Sequence, residues 1–422
     1  MWVIGLIAVV VGLIISVALH ELGHLMPAKR FGAIVPEYWI GFGPTLWKTK
    51  WGSTTYGIKA ILLGGYVRIV GMFPPGPANR VRYRPNGQLT LAEEAREQSL
   101  EDVARARAQG DHGKAFYELS TPKKLVVMAS GPLMNLAISI VLIAVVLFGF
   151  GYQMPTTTIE YVTPTIGGQP SPAAAAGLQD GDTIVEWEGT PIADWDQLRA
   201  LVSSSSEQTS EVVVDRAGEL VTVHVVPSVG ENGHASIGIT SQLGRKTATV
   251  GEVAETVWLQ FAGTGKAIIG LPVSLYELGR SMVTGEERDA SGVVSVVGVA
   301  RLAGQITSPS TFTYEQATSS GTVVKGPSFA ERVAMLLSLI AALNMALFVF
   351  NLIPLPPLDG GHIVGALWGG VRNVYAKVTG RPRPAPADTA RMMPLTYGVF
   401  GALMLMTVVL VVADIVKPLS LA

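Results

Sequence analysis

The chain has 422 residues and a formal net charge of −1, so no global field favours nucleic acid. Hydrophobic residues make up 49% and charged residues only 15%, well under the roughly 25% charged of an ordinary soluble domain, and that shortfall points to membrane spans. No cysteine is present, which excludes disulfides, thiolate metal sites and a cysteine nucleophile and leaves any metal to histidine and carboxylate.

The first segment, Trp2 to Leu19, is apolar apart from Ser16 and two glycines. It lacks the basic n-region and small-residue cleavage site of a signal peptide, so it reads as a retained span. Four segments reach the length of about 20 apolar residues that a crossing needs: roughly 2–25, 125–150, 333–353 and 395–415. The polar stretch 27–124 carries 15 Lys and Arg, whereas the longer stretch 152–332 carries 10. Basic excess marks the cytoplasmic side. This predicts 27–124 inside, 152–332 outside and both termini extracytoplasmic.

Residues 36–71 do not read as a helix. Gly, Trp and Tyr recur among short β-prone runs, which predicts two or three strands joined by turns. "KAILLGGYVRIVGM" is apolar enough to dip into the membrane against a wet cavity; a cytoplasmic hairpin fits the pattern equally. Leu91–Gln109 predicts a surface helix whose alternating charge is a solvated face. Residues 158–228 predict a small β-rich domain, with a hairpin turn at "AG" between two valine-rich arms and a helix at "DWDQLRALVSSS". Residues 251–283 predict an amphipathic or interfacial segment broken at Pro272, leaving its membrane insertion undecided. Residues 303–327 are rich in Ser, Thr and Gly and read as a loop.

The chemistry begins at His20-Glu21-Leu22-Gly23-His24. On a helix the two histidines share one face, and both imidazoles can reach one metal ion. Glu21 lies beside them, able to take a proton from a water that zinc has made acidic. Polar groups at the end of a membrane span are costly unless they serve a purpose or face a polar cavity. A catalytic zinc needs a third protein ligand. Pro27 and Arg30 exclude the metzincin extension, and Glu37 is a nearby carboxylate. The stronger candidate is Asp359 in "NLIPLPPLDGGH", just past the third span, where three prolines and two glycines break the helix; His362 is a rival. Asn135, in the second span, reads as a helix–helix hydrogen-bonding residue.

Together, "HELGH" and "NLIPLPPLDGG" resemble the site-2 protease family of intramembrane zinc metalloproteases, in the bacterial branch typified by the regulator of sigma-E protease. Other stretches match in the same order: "IGFGP", "LGGYVRIVGM", "ASGPLMN", the PDZ-like "AAAAGLQDGDTIVEWEG" and "GVVSVVGVA". The resemblance implies a polytopic α-helical membrane protein of about four transmembrane helices, with a membrane-associated β-loop and an inserted extracytoplasmic PDZ domain. Its expected layout is a first transmembrane helix over 1–26, a cytoplasmic region over 27–124 with a re-entrant β-loop at 56–71, and a second transmembrane helix over 125–151. A PDZ domain at 158–228 and an extracytoplasmic interfacial helix and loop at 229–332 follow. A third transmembrane helix over 333–362, a cytoplasmic loop over 363–394 and a fourth transmembrane helix over 395–416 complete it.

The resemblance further implies one Zn²⁺ per chain on His20, His24 and Asp359, with Glu21 as general base. Asn351 carries over as a substrate-binding or oxyanion-stabilising residue, although a helix-end cap explains it as well. Gly64, Gly65 and Tyr66 of the β-loop carry over as substrate-binding positions. The implied activity is the second cut of a single-pass anti-sigma factor in regulated intramembrane proteolysis, with remnant signal peptides as another substrate class. The implied setting is the bacterial inner membrane, multi-pass in the bilayer, with the active site toward the cytoplasm. Only one "AGLxxGD" signature is present where some family members have two, and "GVVSVVGVA" departs from the stricter "GPVGI" form. Whether the PDZ domain binds a peptide terminus or filters by size stays open. Two competitors remain: a soluble zinc peptidase on a membrane anchor, which gives Asp359 no place, and a non-enzymatic PDZ scaffold, which predicts no bound metal.

Overall fold

The computed structural model describes residues 2–76, 81–205, 208–229, 235–284, 295–307, 327–382 and 384–416. In chain order, α1 spans Trp2–Arg30, β1 Glu37–Trp51, β2 Thr54–Arg68, α2 Leu91–Ala108 and α3 Thr121–Ala144, which continues as a π turn over Val145–Phe150. Next come β3 (Tyr152–Val162), the short pair β4 (Thr165–Ile166) and β5 (Gln169–Pro170), and the one-turn α4 (Pro172–Ala175). β6 (Thr183–Trp187), β7 (Thr190–Pro191), α5 (Trp195–Ser204), β8 (Ser210–Arg216) and β9 (Glu219–Val225) follow. The short pair β10 (Ser228–Val229) and β11 (Ala235–Ser236) precedes β12 (Ile239–Lys246). The remaining helices are α6 (Val250–Thr284), α7 (Val296–Thr307), α8 (Phe329–Asn351), α9 (Asp359–Val378) and α10 (Met393–Val416).

The chain divides into two compact units, one of residues 1–146 with 250–422 and one of residues 147–249. Among the described residues of the first, four helices are long and apolar enough to cross a membrane: Val3–Arg30, Thr121–Phe150, Phe329–Asn351 and Thr389–Val416. They are apolar on nearly all faces, as a lipid-facing helix is. Polar contacts tie them together. Ser139 Oγ donates to the Ala341 carbonyl at 2.9 Å, joining α3 to α8, and Asn344 Nδ2 donates to Ser16 Oγ at 2.9 Å, joining α8 to α1. Asp414, buried in α10, accepts from the backbone N–H groups of Ser295 and Gly298 and caps the start of α7, satisfying donors a helix leaves open.

β1 and β2 form a ribbon folded back on itself. Trp51 faces Thr54 across the tip, while Glu37–Ile40 pairs with both Thr55–Ile58 and Gly65–Arg68. Gly65–Arg68 is therefore paired along one edge. The ribbon exposes Phe42, Leu46, Trp47, Trp51 and Ile61.

The second unit is a sheet in the order β12-β3-β6-β8-β9, with β7 beside β6 and α5 against it. Its core holds Ile159, Ile184, Trp187, Leu198, Val212 and Val214. The predicted hairpin forms with a two-residue turn: Ala217 and Gly218 both have positive φ, 53° and 91°, as a type I′ turn requires. The sheet is wider than the expected 158–228. β3 starts at Tyr152, and β12 enters from beyond residue 228 to pair with it. β12 is mostly polar, so its alternation is weak, and only pairing with β3 makes it a strand.

Other expectations change in the helical unit. α6 runs unbroken through Pro272; its turns are held against α8 and α10 through Phe261 with Phe348 and Leu278 with Leu410, which supports a helix across the proline's missing donor. The third apolar helix does not continue to residue 362, and most of 363–394 is not loop: α8 ends at Asn351, and α9 begins at Asp359 and runs to Val378. α2 is not simply a solvated face, because Arg96, Ser99 and Val103 are buried. Arg96 pairs with Glu93 at 2.6 Å and, in a close bidentate contact, with Asp388. Of the predicted loop 303–327, residues 303–307 belong to α7. Residues 308–326, and 292–294 of the "GVVSVVGVA" stretch, lie outside the described residues.

Candidate metal centre

His20, Glu21 and His24 occupy the last third of α1, whose final turn carries Lys29 and Arg30. The spacing of four residues stacks the two rings on one side, with centroids 4.9 Å apart and planes near perpendicular. α3 crosses behind them. The His24 Nδ1 donates to the Val127 carbonyl at 2.7 Å, which leaves its Nε2 with a lone pair. The Asn135 amide lies 3.1 Å from His20 Nδ1. The crossing requires a glycine at 131, because a Cβ there would come within 2.0 Å of His24 Nε2. That gives a steric role to the glycine of "ASGPLMN".

Asp359 arrives from the far end of the chain. Pro354 lacks an N–H and disfavours helix at the residue before it, and the segment 352–358 turns sharply before α9 begins. The return is tight enough that a Cβ on Gly360 would collide with the Ile353 carbonyl. Asp359, the first residue of α9, thereby reaches α1: its Oδ2 is 3.4 Å from His20 Nε2 and 3.4 Å from His24 Nε2, and the two Nε2 atoms are 3.3 Å apart.

These separations suit a metal ion. Tetrahedral ligands at zinc bond lengths of about 2.0–2.1 Å stand about 3.4 Å from one another. The three donors, two imidazoles and a carboxylate, form the one cluster of metal-ligand type among the described residues. Three protein ligands leave a fourth position open, as catalytic zinc sites do.

The donors open onto a cavity of about 380 Å³ lined also by Glu21, Tyr66, Val67, Arg68, Met128, Pro357 and His362. The Val67 backbone hydrogen-bonds the Glu21 carboxylate. The structure thus brings together His20, Glu21, His24, Asp359 and Tyr66. Gly65 packs beside Val17 and Glu21, whereas Gly64 contacts Phe42. Asn351, the half-buried last residue of α8, does not line the cavity. Glu37 is engaged elsewhere, with Arg68, Trp39 and Tyr66. His362 lines the cavity without joining the donor cluster.

The second-span amide is the residue whose role sequence reasoning missed: Asn135 joins α3 to α1 as expected of a helix–helix contact, but its partner is an imidazole of the metal cluster. A lone amide in an apolar span was the available signal. The Val127 contact had none, since its acceptor is a backbone carbonyl.

The sequence matches the profile of peptidase family M50 over residues 8–382. It is 31% identical to the zinc metalloprotease Rip1 of Mycobacterium tuberculosis, covering 100% of this chain and 99% of that one. It is 30% identical to Rip1 of Mycolicibacterium smegmatis over the same shares and 25% identical to the metalloprotease MmpA of Caulobacter vibrioides, covering 86% of each. Among solved structures, the PDZ domain of the SdrC-like protein from Listeria innocua is similar to 22% of this chain, with 99% of that domain covered, 17% identity and a TM-score of 0.19. The chain belongs to peptidase family M50, the site-2 protease family, and is a zinc-dependent metalloendopeptidase.

Proposed function

We propose that this family M50 metalloendopeptidase is a multi-pass inner-membrane enzyme that hydrolyses a peptide bond within a transmembrane segment, on a centre made of His20, His24, Asp359 and Glu21. The observation that carries the reading is the 3.3–3.4 Å triangle of His20 Nε2, His24 Nε2 and Asp359 Oδ2, with Glu21 beside it at the end of an apolar helix. Zinc bound there supplies the Lewis acidity that brings a water's pKa near 7 and polarises a peptide carbonyl. The Glu21 carboxylate takes the proton of the attacking water and hands it to the departing amide nitrogen. Val67 N–H keeps that carboxylate aimed into the cavity.

A peptide bond inside a helix is shielded, so the substrate has to be drawn out into an extended strand. The singly paired edge Gly65–Arg68 beside Glu21 supports the ribbon as the element that does this, by adding the substrate as a further strand. The exposed Trp47, Trp51 and Leu46 of the same ribbon support its lying at the membrane. Lys29 and Arg30 directly after the histidines support a cytoplasmic-side active site, with both termini extracytoplasmic. The "AGLQDGD" signature within the β unit supports reading that unit as a PDZ domain outside the membrane. On the family resemblance, the substrate is a single-pass anti-sigma factor already trimmed by another protease, with remnant signal peptides as a second class.

The test is Glu21→Gln in purified full-length protein, reconstituted with a reporter transmembrane segment. Hydrolysis should fall by about 10²–10⁴-fold, with zinc still stoichiometric by metal analysis. Cleavage at the unsubstituted rate, or no zinc on the unsubstituted protein, sinks the assignment.

A further inference from the structure

We propose that Asn135 is the positioning residue of His20: its Oδ1 accepts the His20 Nδ1 proton and so presents the Nε2 lone pair to the metal. The proposal rests on the reading of His20, His24 and Asp359 as zinc ligands. Its own ground is the environment of one amide. Asn135 is 1% exposed, on a membrane-spanning helix. Its Nδ2 stands 3.1 Å from His20 Nδ1, while its Oδ1 has no hydrogen-bond partner among the described residues. A buried carbonyl oxygen without a donor is unfavourable, so this amide is incompletely satisfied as it stands.

His24 shows what the neighbouring ring requires. The group at its Nδ1 is the Val127 carbonyl, which can only accept. The proton is therefore on Nδ1, and Nε2 is free to bind. His20 Nε2 lies at the same 3.4 Å from the same Asp359 oxygen, so it needs the same tautomer. Among the described residues no backbone carbonyl meets His20 Nδ1; the Asn135 amide does. With Nδ2 toward the ring, the amide donates and drives the proton to Nε2, which blocks ligation. With Oδ1 toward the ring, it accepts and frees Nε2. Half a turn of the amide gives the second arrangement, and among the described residues no other hydrogen bond holds Oδ1 where it is. That turn gives Oδ1 a donor and leaves Nδ2 in its former place, so the tautomer that ligation demands, and not the amide's own satisfaction, selects it.

One strip of α3 thus orients both imidazoles, Val127 for His24 and Asn135 for His20, with Gly131 between them leaving room for the His24 ring. Outer partners of this kind fix ring orientation and raise ligand basicity.

The test uses the full chain in detergent, stripped of metal and titrated with zinc against a competing chelator. Asn135→Leu keeps the volume and loses the acceptor; Asn135→Ser is too short to reach; Asn135→Asp keeps an oxygen at Nδ1. The leucine and serine variants should bind zinc about 10–100-fold more weakly, and the aspartate variant within about threefold of the unsubstituted chain. With cobalt(II) in place of zinc, the visible bands of the tetrahedral ion should shift in the leucine and serine variants and stay in place for aspartate. Should the leucine variant fail to fold, the serine variant carries the comparison. Unsubstituted affinity in the leucine or serine variant overturns the proposal, and so does equal weakening in the aspartate variant, which would make the residue a matter of packing. A chain that binds no zinc without any substitution removes the ligand reading instead, so the two failures are distinguishable.

Discussion

In the β unit the interior is Trp187, Ile184, Val212, Val214 and Val225, and the strands turn charge and hydroxyl outward. In the helical unit Ser16, His24, Asn135, Ser139, Asn344 and Asp414 are inside, while Ile4, Ile15, Val141, Phe400, Leu405 and Ile415 are exposed. The first pattern is that of a chain in water, where burying apolar surface drives folding. The second is that of a chain in lipid, where an apolar exterior costs nothing and polar groups must meet one another within. The contrast explains how a hydrolytic centre fits such a protein. A helical unit that gathers its polar side chains centrally has already assembled the donors that a metal and a water require.

Substitutions should divide along the same line. With Asp359 as the proposed third ligand, Asp359→Ala should lower zinc affinity by more than the roughly 100-fold that outer partners contribute, read by metal content after dialysis; hydrogen-exchange protection of the β unit should be unchanged. Trp187→Ala should do the reverse, destabilising the β unit by about 3–5 kcal/mol in hydrogen exchange on the full chain while zinc stays stoichiometric. If either substitution crosses over, the two units are not energetically separate.

A smaller effect concerns the β unit's Asp182, which is buried while its partner Arg216 stays partly exposed. Burial alone would raise the Asp182 carboxyl; hydrogen bonds from Arg216 at 2.7 and 2.8 Å and from Gln179 N–H at 2.9 Å outweigh it and hold it below its ordinary value. Such a group stabilises the fold above its unfolded pKa, and the contribution fades as pH falls through the lower folded one. Asp182→Asn should cost about 1–3 kcal/mol at neutral pH and weaken the acid dependence of β-unit protection. Protection as acid-sensitive as before would assign that dependence to other groups. The smallest effect is expected within the helices: Ser139→Ala loses one interhelical bond, worth about 0.6 kcal/mol, measurable as a shift in thermal unfolding in detergent. A loss several times larger would mean that the hydroxyl holds α3 in place for the metal centre.

Much of this was legible from composition and spacing. Apolar runs announce the four spans, because about 20 residues are needed whatever they pack against. The histidine spacing announces two imidazoles on one face, because a helix repeats every 3.6 residues. Where reading failed, the deciding contact was distant. β12 is a strand because β3 needs a neighbour, α6 passes Pro272 because other helices hold it, and α9 replaces the expected loop by packing its small residues inward. Asn351 carried a motif's expectation and does not line the cavity, because α8 stops at that residue and the segment 352–358 turns away to deliver Asp359.

By itself, the sequence determined which atoms can bind a metal, which segments belong in lipid and which acid stands beside the histidines. These follow from side-chain chemistry and from local repeat. The tertiary structure alone decided that Asp359 Oδ2 meets both Nε2 atoms at 3.4 Å, and that α3 presents a carbonyl to one ring and an amide to the other. Those outcomes depend on how closely α1, α3 and the start of α9 approach. Packing of backbone against glycine and proline sets that approach, and no periodicity along the chain records it.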